Sequence, residues 1–283
     1  VIDANAIAGS SATSFADVLR NVPGLNITQL SARDINVTSR AATGSLATSQ
    51  LTLLDGRTLY KDFFGFTAWD FMPVNMYEIK RIEFVRGPAS AVWGANAMSG
   101  VINVITKTPR ESQGTTMTVG IGSFPRAVFG HDAKAGWLYY VNGSHAQALN
   151  DRWSYKVSGG GLMQDPFPRP TGVIPGSPTA QQYPAYSNPR STQPKVDARF
   201  DYDFPDKVTT MSFSGGYAGT TGIMQTGIGP FSIDSGSGMG YAKFAFTRRA
   251  MHLQVFGNLQ NTDARNLLTV GANGQPIVSG FNT

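Results

Sequence analysis

EIKRIEFVRGPASAVWGANAMSGVINVITK, running from Glu78 to Lys107, is the stretch whose reading decides the fold of the first third of the chain. From Ile79 to Val85 apolar and charged residues alternate, Ile82 and Phe84 against Arg81 and Glu83, which is the period of a strand with one face on a core. Gly87-Pro88 then breaks the pattern, because glycine opens backbone angles closed to other residues and proline has no amide hydrogen to continue a ladder. Apolar, β-branched residues return from Val101 to Ile105, so the stretch reads as strand, glycine-punctuated turn, strand. Upstream, Ser14 and Asp17 have the spacing of a capping box, and Phe15, Val18, Leu19 and Val22 form a short apolar helical face that Pro23-Gly24 ends. The first part therefore reads as a small α+β domain with glycine-rich connections and a thin core, soluble alone but only marginally ordered.

The same residues resemble the signature of the plug of TonB-dependent outer-membrane transporters. The resemblance is carried by Asp55, Gly56, Arg57, Arg86, Gly87, Pro88, Gly94, Gly100 and Asn103, with Arg81, Ile82, Glu83 and Val101 to Lys107 around them. Leu53 to Arg57 is similar to the family's "VLVDGR" strand and turn, and Ala16 to Gly24 to its "LLRxVPG" helix end. It departs at Val37-Thr38-Ser39-Arg40-Ala41, where many plugs read "IRG".

The resemblance implies a plug over residues 1–109, truncated at its N-terminus, and the N-terminal part of an outer-membrane β-barrel over residues 110–283. It implies import of a scarce ligand, a ferric siderophore, a cobalamin or an oligosaccharide, across the outer membrane of a Gram-negative bacterium. The implied partners are TonB, through a TonB box not visible before Val1, the lipid and lipopolysaccharide of the outer membrane, and a small ligand of unknown identity. No cofactor is implied. Arg86 matches the arginine that pairs with barrel-wall carboxylates, and with Arg81 and Glu83 it is the candidate polar lock between plug and barrel. Ligand-facing candidates are Phe63, Phe64, Phe66 and Trp69 after the Asp-Gly-Arg turn, and Tyr183 and Tyr186 in the Pro-rich loop Asp165–Thr192.

After Thr108-Pro109 the pattern changes to long alternating strands. Between Gln193 and Phe204, Val196, Ala198, Phe200, Tyr202 and Phe204 alternate with Lys195, Asp197, Arg199, Asp201 and Asp203. Alternation alone leaves two folds open: a soluble sandwich with the apolar face inward, or a membrane barrel with the apolar face on lipid. Connection lengths discriminate. Strands are expected at Thr115–Ile121, Trp137–Ala148, Trp153–Gln164, Gln193–Phe204, Lys207–Tyr217, Gly240–Thr247 and Met251–Asn261. Tight joints (149–152, 205–206, 248–250) then alternate with long ones (122–136, 165–192, 218–239), as short periplasmic turns and long extracellular loops do in outer-membrane barrels. Trp153, Tyr155, Tyr202 and Phe204, beside the short joints, are placed for an aromatic girdle. The fold expected is an α+β plug followed by an incomplete antiparallel transmembrane β-barrel, seven strands against the about 22 of a plugged transporter barrel, and so a fragment. The alternative is a soluble or surface β-rich carbohydrate-binding or adhesin protein.

Composition excludes several other functions. Charged residues are 14% of the chain and glycines number 32, few charges for a soluble surface and many glycines for a helical protein. The net charge of +5 carries no basic run or basic-aromatic cluster, which argues against nucleic acid. There is no cysteine, and His131, His145 and His252 match no zinc spacing. Gly87-Pro88-Ala89-Ser90-Ala91 lacks the second glycine of a nucleophile elbow, and neither Gly94 nor Gly100 is followed by the lysine of a phosphate loop. An enzyme is not expected.

Overall fold

In the computed structural model the Glu78–Lys107 stretch forms the central hairpin of a mixed sheet. The structure describes residues 1–10, 12, 14–39, 49–61, 66–67, 69–128, 131–184, 186–226, 229–270 and 276–282. The strands of the N-terminal part are β1 (Ile2–Asp3), β2 (Leu25–Gln29), β3 (Ile35–Ser39), β4 (Gln50–Leu54), β5 (Arg57–Thr58), β6 (Tyr60–Lys61), β7 (Phe66–Thr67), β8 (Ile79–Arg86) and β9 (Gly100–Thr106). The main sheet runs β1-β8-β9-β4-β5, while β2-β3 and β6-β7 are separate hairpins. Its inward residues Ile79, Ile82, Ile102 and Val104 pack against Phe15 and Leu19 of the helical turn that the Ser14 hydroxyl caps by accepting from the Asp17 amide. That turn is shorter than the apolar face suggested, an α-helix over Phe15–Val18 continued by a 3₁₀ turn over Leu19–Asn21.

Gly100 starts β9 at φ 153°, and a Cβ there would lie 2.5 Å from the Val85 carbonyl oxygen across the hairpin. Replacing Gly100 with alanine is expected to cost about 2–3 kcal/mol through backbone strain and hairpin separation. Chemical denaturation followed through plug tryptophan fluorescence measures it, and an unchanged midpoint would show that the hairpin opens without loss.

The second sheet begins at β10 (Gly114–Val128) and continues with β11 (His131–Ala148), β12 (Trp153–Gln164), β13 (Ser191–Asp203), β14 (Thr209–Gly219), β15 (Gly222–Thr226), β16 (Gly229–Ile233), β17 (Gly238–Arg248), β18 (Met251–Val270) and β19 (Pro276–Asn282). Its order is β10-β11-β12-β13-β14-β17-β18, with β16 and then β15 following β18, and β19 also pairing with β18; every pairing is antiparallel. Among the described residues the sheet does not close, and β10 is paired on one side only.

The faces of these strands settle what alternation left open. Met117, Val119, Ile121, Val157, Met163, Val196, Phe200, Leu253, Val255 and Leu259 all point outward and are exposed, Met117 at 72% and Leu259 at 76%. The opposite face carries Gln193, Lys195, Asp197 and Asp201 of β13 and Lys156 of β12, all buried against the N-terminal part. A sandwich would have the reverse arrangement, because leaving so many aliphatic side chains in water forfeits about 25 cal/mol per Å² of apolar area. The soluble carbohydrate-binding alternative fails here. Above the short turns Trp153 and Tyr202 pack with ring centroids 4.7 Å apart and Tyr202 and Phe204 at 4.9 Å, where a membrane interface favours aromatic rings. No described helix is long and apolar enough to cross a membrane, which says nothing of strands.

Two of the three long connections differ from expectation. Residues 122–136 are not a loop: β10 continues to Val128 and β11 starts at His131, with a register shift between Phe124 and Arg126. Pro125 lies at this shift, and a proline is tolerated at a bulge, where no ladder amide is needed. Residues 218–239 contain the hairpin β15–β16, which docks on an extension of β18 to Val270, nine residues beyond the expected Asn261. Only Asp165–Thr192 lacks strand structure over most of its length, with one isolated bridge between Val173 and Gln182 and β13 starting at Ser191.

Candidate functional site

Asp55 and Gly56, at φ 49° and 78°, make the two-residue turn between β4 and β5, a geometry that Asp-Gly favours. The Asp55 carboxylate is tied into the plug, accepting from the Thr106 amide at 2.8 Å and the Thr106 hydroxyl at 2.7 Å. Its carbonyl faces the wall and accepts from Lys243 Nζ of β17. Arg57, 1% exposed, donates to Asn258 Oδ1 of β18 at 2.7 Å and stacks 3.9 Å from the Tyr241 ring centroid. Burial pushes its pKa down from the usual guanidinium value, an effect countered by Tyr241, Asp197 and Asp55. Asn258 Nδ2 donates back to the Thr58 carbonyl at 3.1 Å, so turn and wall exchange donors in both directions.

A second cluster lies between the plug and β12–β13. Glu78 caps its own turn by accepting from the Asn75 amide at 2.7 Å, and its other carboxylate oxygen is 3.2 Å from Lys156 Nζ. The pair is sealed, with side-chain exposures of 2% for Lys156 and 1% for Glu78. Lys156 also donates to the Lys107 carbonyl at 3.1 Å, and Lys195 Nζ to the Val74 carbonyl at 3.2 Å. Asn75 Nδ2 lies 3.4 Å from the Gly143 carbonyl of β11 and 3.5 Å from that of Gly159 on β12.

Toward the long loops, Arg33 at the tip of the β2–β3 hairpin grips Asp70 with two bonds, Nε–Oδ2 at 3.1 Å and Nη2–Oδ1 at 2.6 Å. The wall closes on the pair: Gln193 Nε2 donates to the Asp70 carbonyl at 2.6 Å, and Thr220 Oγ1 to Asp70 Oδ2 at 3.1 Å. Asp70→Asn is expected to weaken this apex by about 2 kcal/mol, the worth of hydrogen bonds to a charged acceptor. Hydrogen exchange over residues 25–39 checks it, with faster exchange confined to that hairpin. Beside the apex is a pocket of about 190 Å³ lined by Leu30, Ser31, Phe167, Arg169, Tyr186 and Asn188, where the Arg169 guanidinium sits 4.6 Å from the Tyr186 ring centroid.

The residues singled out in the sequence fall in several places. Arg86 donates to the Pro23 carbonyl at 3.1 Å, inside the plug. Arg81 and Glu83 pair with each other at 2.6 Å along one strand, and that bond, joined by Asn103 Nδ2 at 3.3 Å, holds the Glu83 carboxyl below its usual range. Gly87 and Gly94, at φ 99° and 90°, shape the turn after β8, with the Gly87 amide donating to the Ser99 carbonyl at 3.2 Å and Pro88 following it. Trp69 does not face a ligand: at 5% exposure it belongs to the plug core, because the 3₁₀ turn Trp69–Phe71 folds inward. Phe63 and Phe64 lie outside the described residues; Phe66 pairs with Lys61 through its backbone. Tyr186 lines the apex pocket and Tyr183 is half-buried, its amide donating to the Gly172 carbonyl at 2.8 Å.

The described contacts that seat the plug include those of Arg33, Asp55, Arg57, Asp70, Asn75 and Glu78, of which sequence reading had marked Asp55 and Arg57, and for their signature. One signal was present: the unbroken charged face of Lys195 to Asp203, a row of lumen groups in need of partners.

Comparison with known proteins agrees with this architecture. A family model described as TonB-dependent Receptor Plug Domain matches residues 1–101. The vitamin B12 transporter BtuB of Vibrio cholerae is 34% identical over 123 residues, covering 44% of this chain and 20% of its own length. Among solved structures, an arginine-to-alanine mutant of the ferric enterobactin receptor PfeA from Pseudomonas aeruginosa, in complex with enterobactin, superposes with a TM-score of 0.63 at 17% identity, over 99% of this chain and 45% of that one. The outer membrane transporter YddB from Escherichia coli gives 0.60 at 12% identity, over 98% and 42%. The chain spans about a fifth of the curated relative it matches and under half of each solved one. A stopper sheet seated on the polar side of a two-faced wall agrees with these matches: residues 1–101 match the plug of the TonB-dependent receptors, and the chain as a whole has the fold of a plug with part of such a receptor's barrel.

Proposed function

We propose that this receptor imports a scarce ligand, a ferric siderophore, a cobalamin or an oligosaccharide, with TonB pulling on the N-terminal side of the plug. Residues 1–109 act as the movable plug and 110–283 as the first staves of the wall. The observation that carries the reading is the chemistry of the seam: Glu78–Lys156, Arg33–Asp70 and Arg57–Asn258 are polar contacts. Water can replace such contacts as the plug shifts, whereas an apolar seam would resist sliding. Arg86, exposed, and Arg81 and Glu83, half-buried, stay open to charged groups of the wall and serve as a further polar lock. Ligand meets the pocket between the β2–β3 tip and the Pro-rich loop at Tyr186, and Tyr183, Phe63, Phe64 and Phe66 are further ligand-facing residues.

Uptake of labelled ferric siderophores, cobalamin and oligosaccharides by cells carrying the full-length receptor, with and without TonB, tests this. Accumulation of one ligand only when TonB is present is expected. Equal accumulation in both backgrounds would point to a passive channel and end the proposal.

A further inference from the structure

The residues that join the plug to the wall, Lys107 to Gln113 between β9 and β10, carry a structure of their own. Thr108-Pro109-Arg110-Glu111 has the order of a capping box with proline at the first helical position. Both bonds of the box are made: the Thr108 amide donates to Glu111 Oε2 at 2.9 Å and the Glu111 amide to Thr108 Oγ1 at 3.3 Å. The Ser112 hydroxyl donates back to the Thr108 carbonyl at 2.9 Å, closing a 3₁₀ turn over Arg110–Ser112. Gly114 follows at φ 107°, a conformation that strains other residues, and leads the chain into β10.

This turn is bonded on both sides. Toward the plug, Glu111 pairs with Lys80 of β8, and the Lys107 amide donates to the Glu78 carbonyl at 2.7 Å. Burial disfavours the charged Glu111 carboxyl, but Lys80 and Thr108 outweigh it and hold its pKa below the usual range. Toward the wall, Arg110 Nε donates to Asp203 Oδ2 at the end of β13 at 2.7 Å, and its Nη2 to the Asn150 carbonyl in the tight joint between β11 and β12 at 2.9 Å. One guanidinium therefore holds two neighbouring short turns of the wall to the linker. Exposed ion pairs hold little by themselves, but these act on a turn whose backbone its own caps have already fixed.

The seam lies at graded distances from this turn. Lys156 reaches the Lys107 carbonyl itself, so the Glu78–Lys156 pair is adjacent to it. Asn258 of β18, which exchanges hydrogen bonds with Arg57 and Thr58, stands three strands beyond Asp203 of β13, about 14 Å around the wall at about 4.8 Å per strand. A body that rotates about one point moves least beside it and most far from it. We propose that residues 107–113 are the pivot of the plug: Arg110 keeps the turn on the wall in the open state, and the plug swings about it, parting first from β17 and β18. Arg110 is thus a positioning residue. The inference rests on the reading that the plug moves during import, and it excludes departure of the plug as a free body.

Urea-induced current through the full-length receptor in planar bilayers tests it, at concentrations that leave the wall folded. A contact kept in both states cannot shift the balance between them, whereas one broken on opening must. Asn258→Ala should therefore favour the open state about tenfold at a given urea concentration, the factor for one hydrogen bond to a charged donor. Arg110→Ala should leave the midpoint of the current in place and yet speed amide exchange over residues 108–113 severalfold, and Arg110→Lys should restore part of that protection. Equal shifts of the midpoint in Asn258→Ala and Arg110→Ala would overturn the proposal, as would no shift in Asn258→Ala, unchanged exchange in Arg110→Ala, or no current before the wall unfolds. The assay contains neither TonB nor ligand, so a failure here is told apart from a failure of import, which the uptake measurement reads.

Discussion

Glu78→Gln is expected to loosen the plug on its wall by about 3–5 kcal/mol, the cost of leaving one member of a sealed ion pair without its counter-charge. The amide oxygen still accepts from the Asn75 amide, so the turn keeps its cap and the loss falls on the contact with Lys156. Of its described hydrogen bonds Lys156 retains the one to the Lys107 carbonyl, too little for an ammonium whose side chain is 2% exposed. Limited proteolysis and hydrogen exchange of the full-length receptor should show the segment around Asn75–Ile79 opening while the wall strands stay protected. The double change Glu78→Gln, Lys156→Met separates attraction from burial, because the amide keeps the Asn75 cap. Removing both charges should restore most of the stability, since no buried charge is then left without its counter-charge. That variant should seat firmly yet release slowly. If Glu78→Gln exchanges and digests like the parent, the pair carries none of the seating.

Val157→Arg should destabilise the wall by about 2–4 kcal/mol, the cost of a cation at the bilayer midplane on the lipid face of a barrel. Val157 lies near the middle of β12, 40% exposed and opposite His145 and Ala198. Its neighbour Ser158 points to the plug side, and Ser158→Asn should cost far less, because a polar side chain there meets polar neighbours. Urea unfolding from lipid vesicles gives both numbers. Equal costs would mean that the two faces of the strand see the same surroundings, and the lipid-facing assignment would be lost.

Much of this architecture was legible in the chain. Strand β12 has the limits read from its sequence, Trp153–Gln164, because it is bounded by turn residues and alternates from Trp153 to Ser158. β8 and β9 were legible for the same reason, with Gly87-Pro88 between them. The ends of β10, β11 and β18 were not. Pro125, Gly130 and Gly136 look like punctuation, but the bulge after Phe124 absorbs the proline, and Gly136 is needed because a Cβ there would lie 2.4 Å from the Phe124 ring. A glycine that makes room for a facing ring in a hairpin cannot be told from one that makes a turn without knowing what lies across the strand.

The seam was less legible than the fold. Arg86 stood out by motif and bonds within the plug, whereas Glu78 passed as the first residue of a strand and meets a lysine 78 positions later. Trp69 read as a loop aromatic and went into the core.

The order of polar and apolar residues by itself determined that there would be a plug-like α+β unit and two-faced strands, since local periodicity and turn chemistry act over a few neighbours. Where β10, β11 and β18 end, and which charges meet each other across the seam, only the tertiary structure decided. Those outcomes depend on the free energy of pairing groups far apart in the chain, to which no local pattern is sensitive.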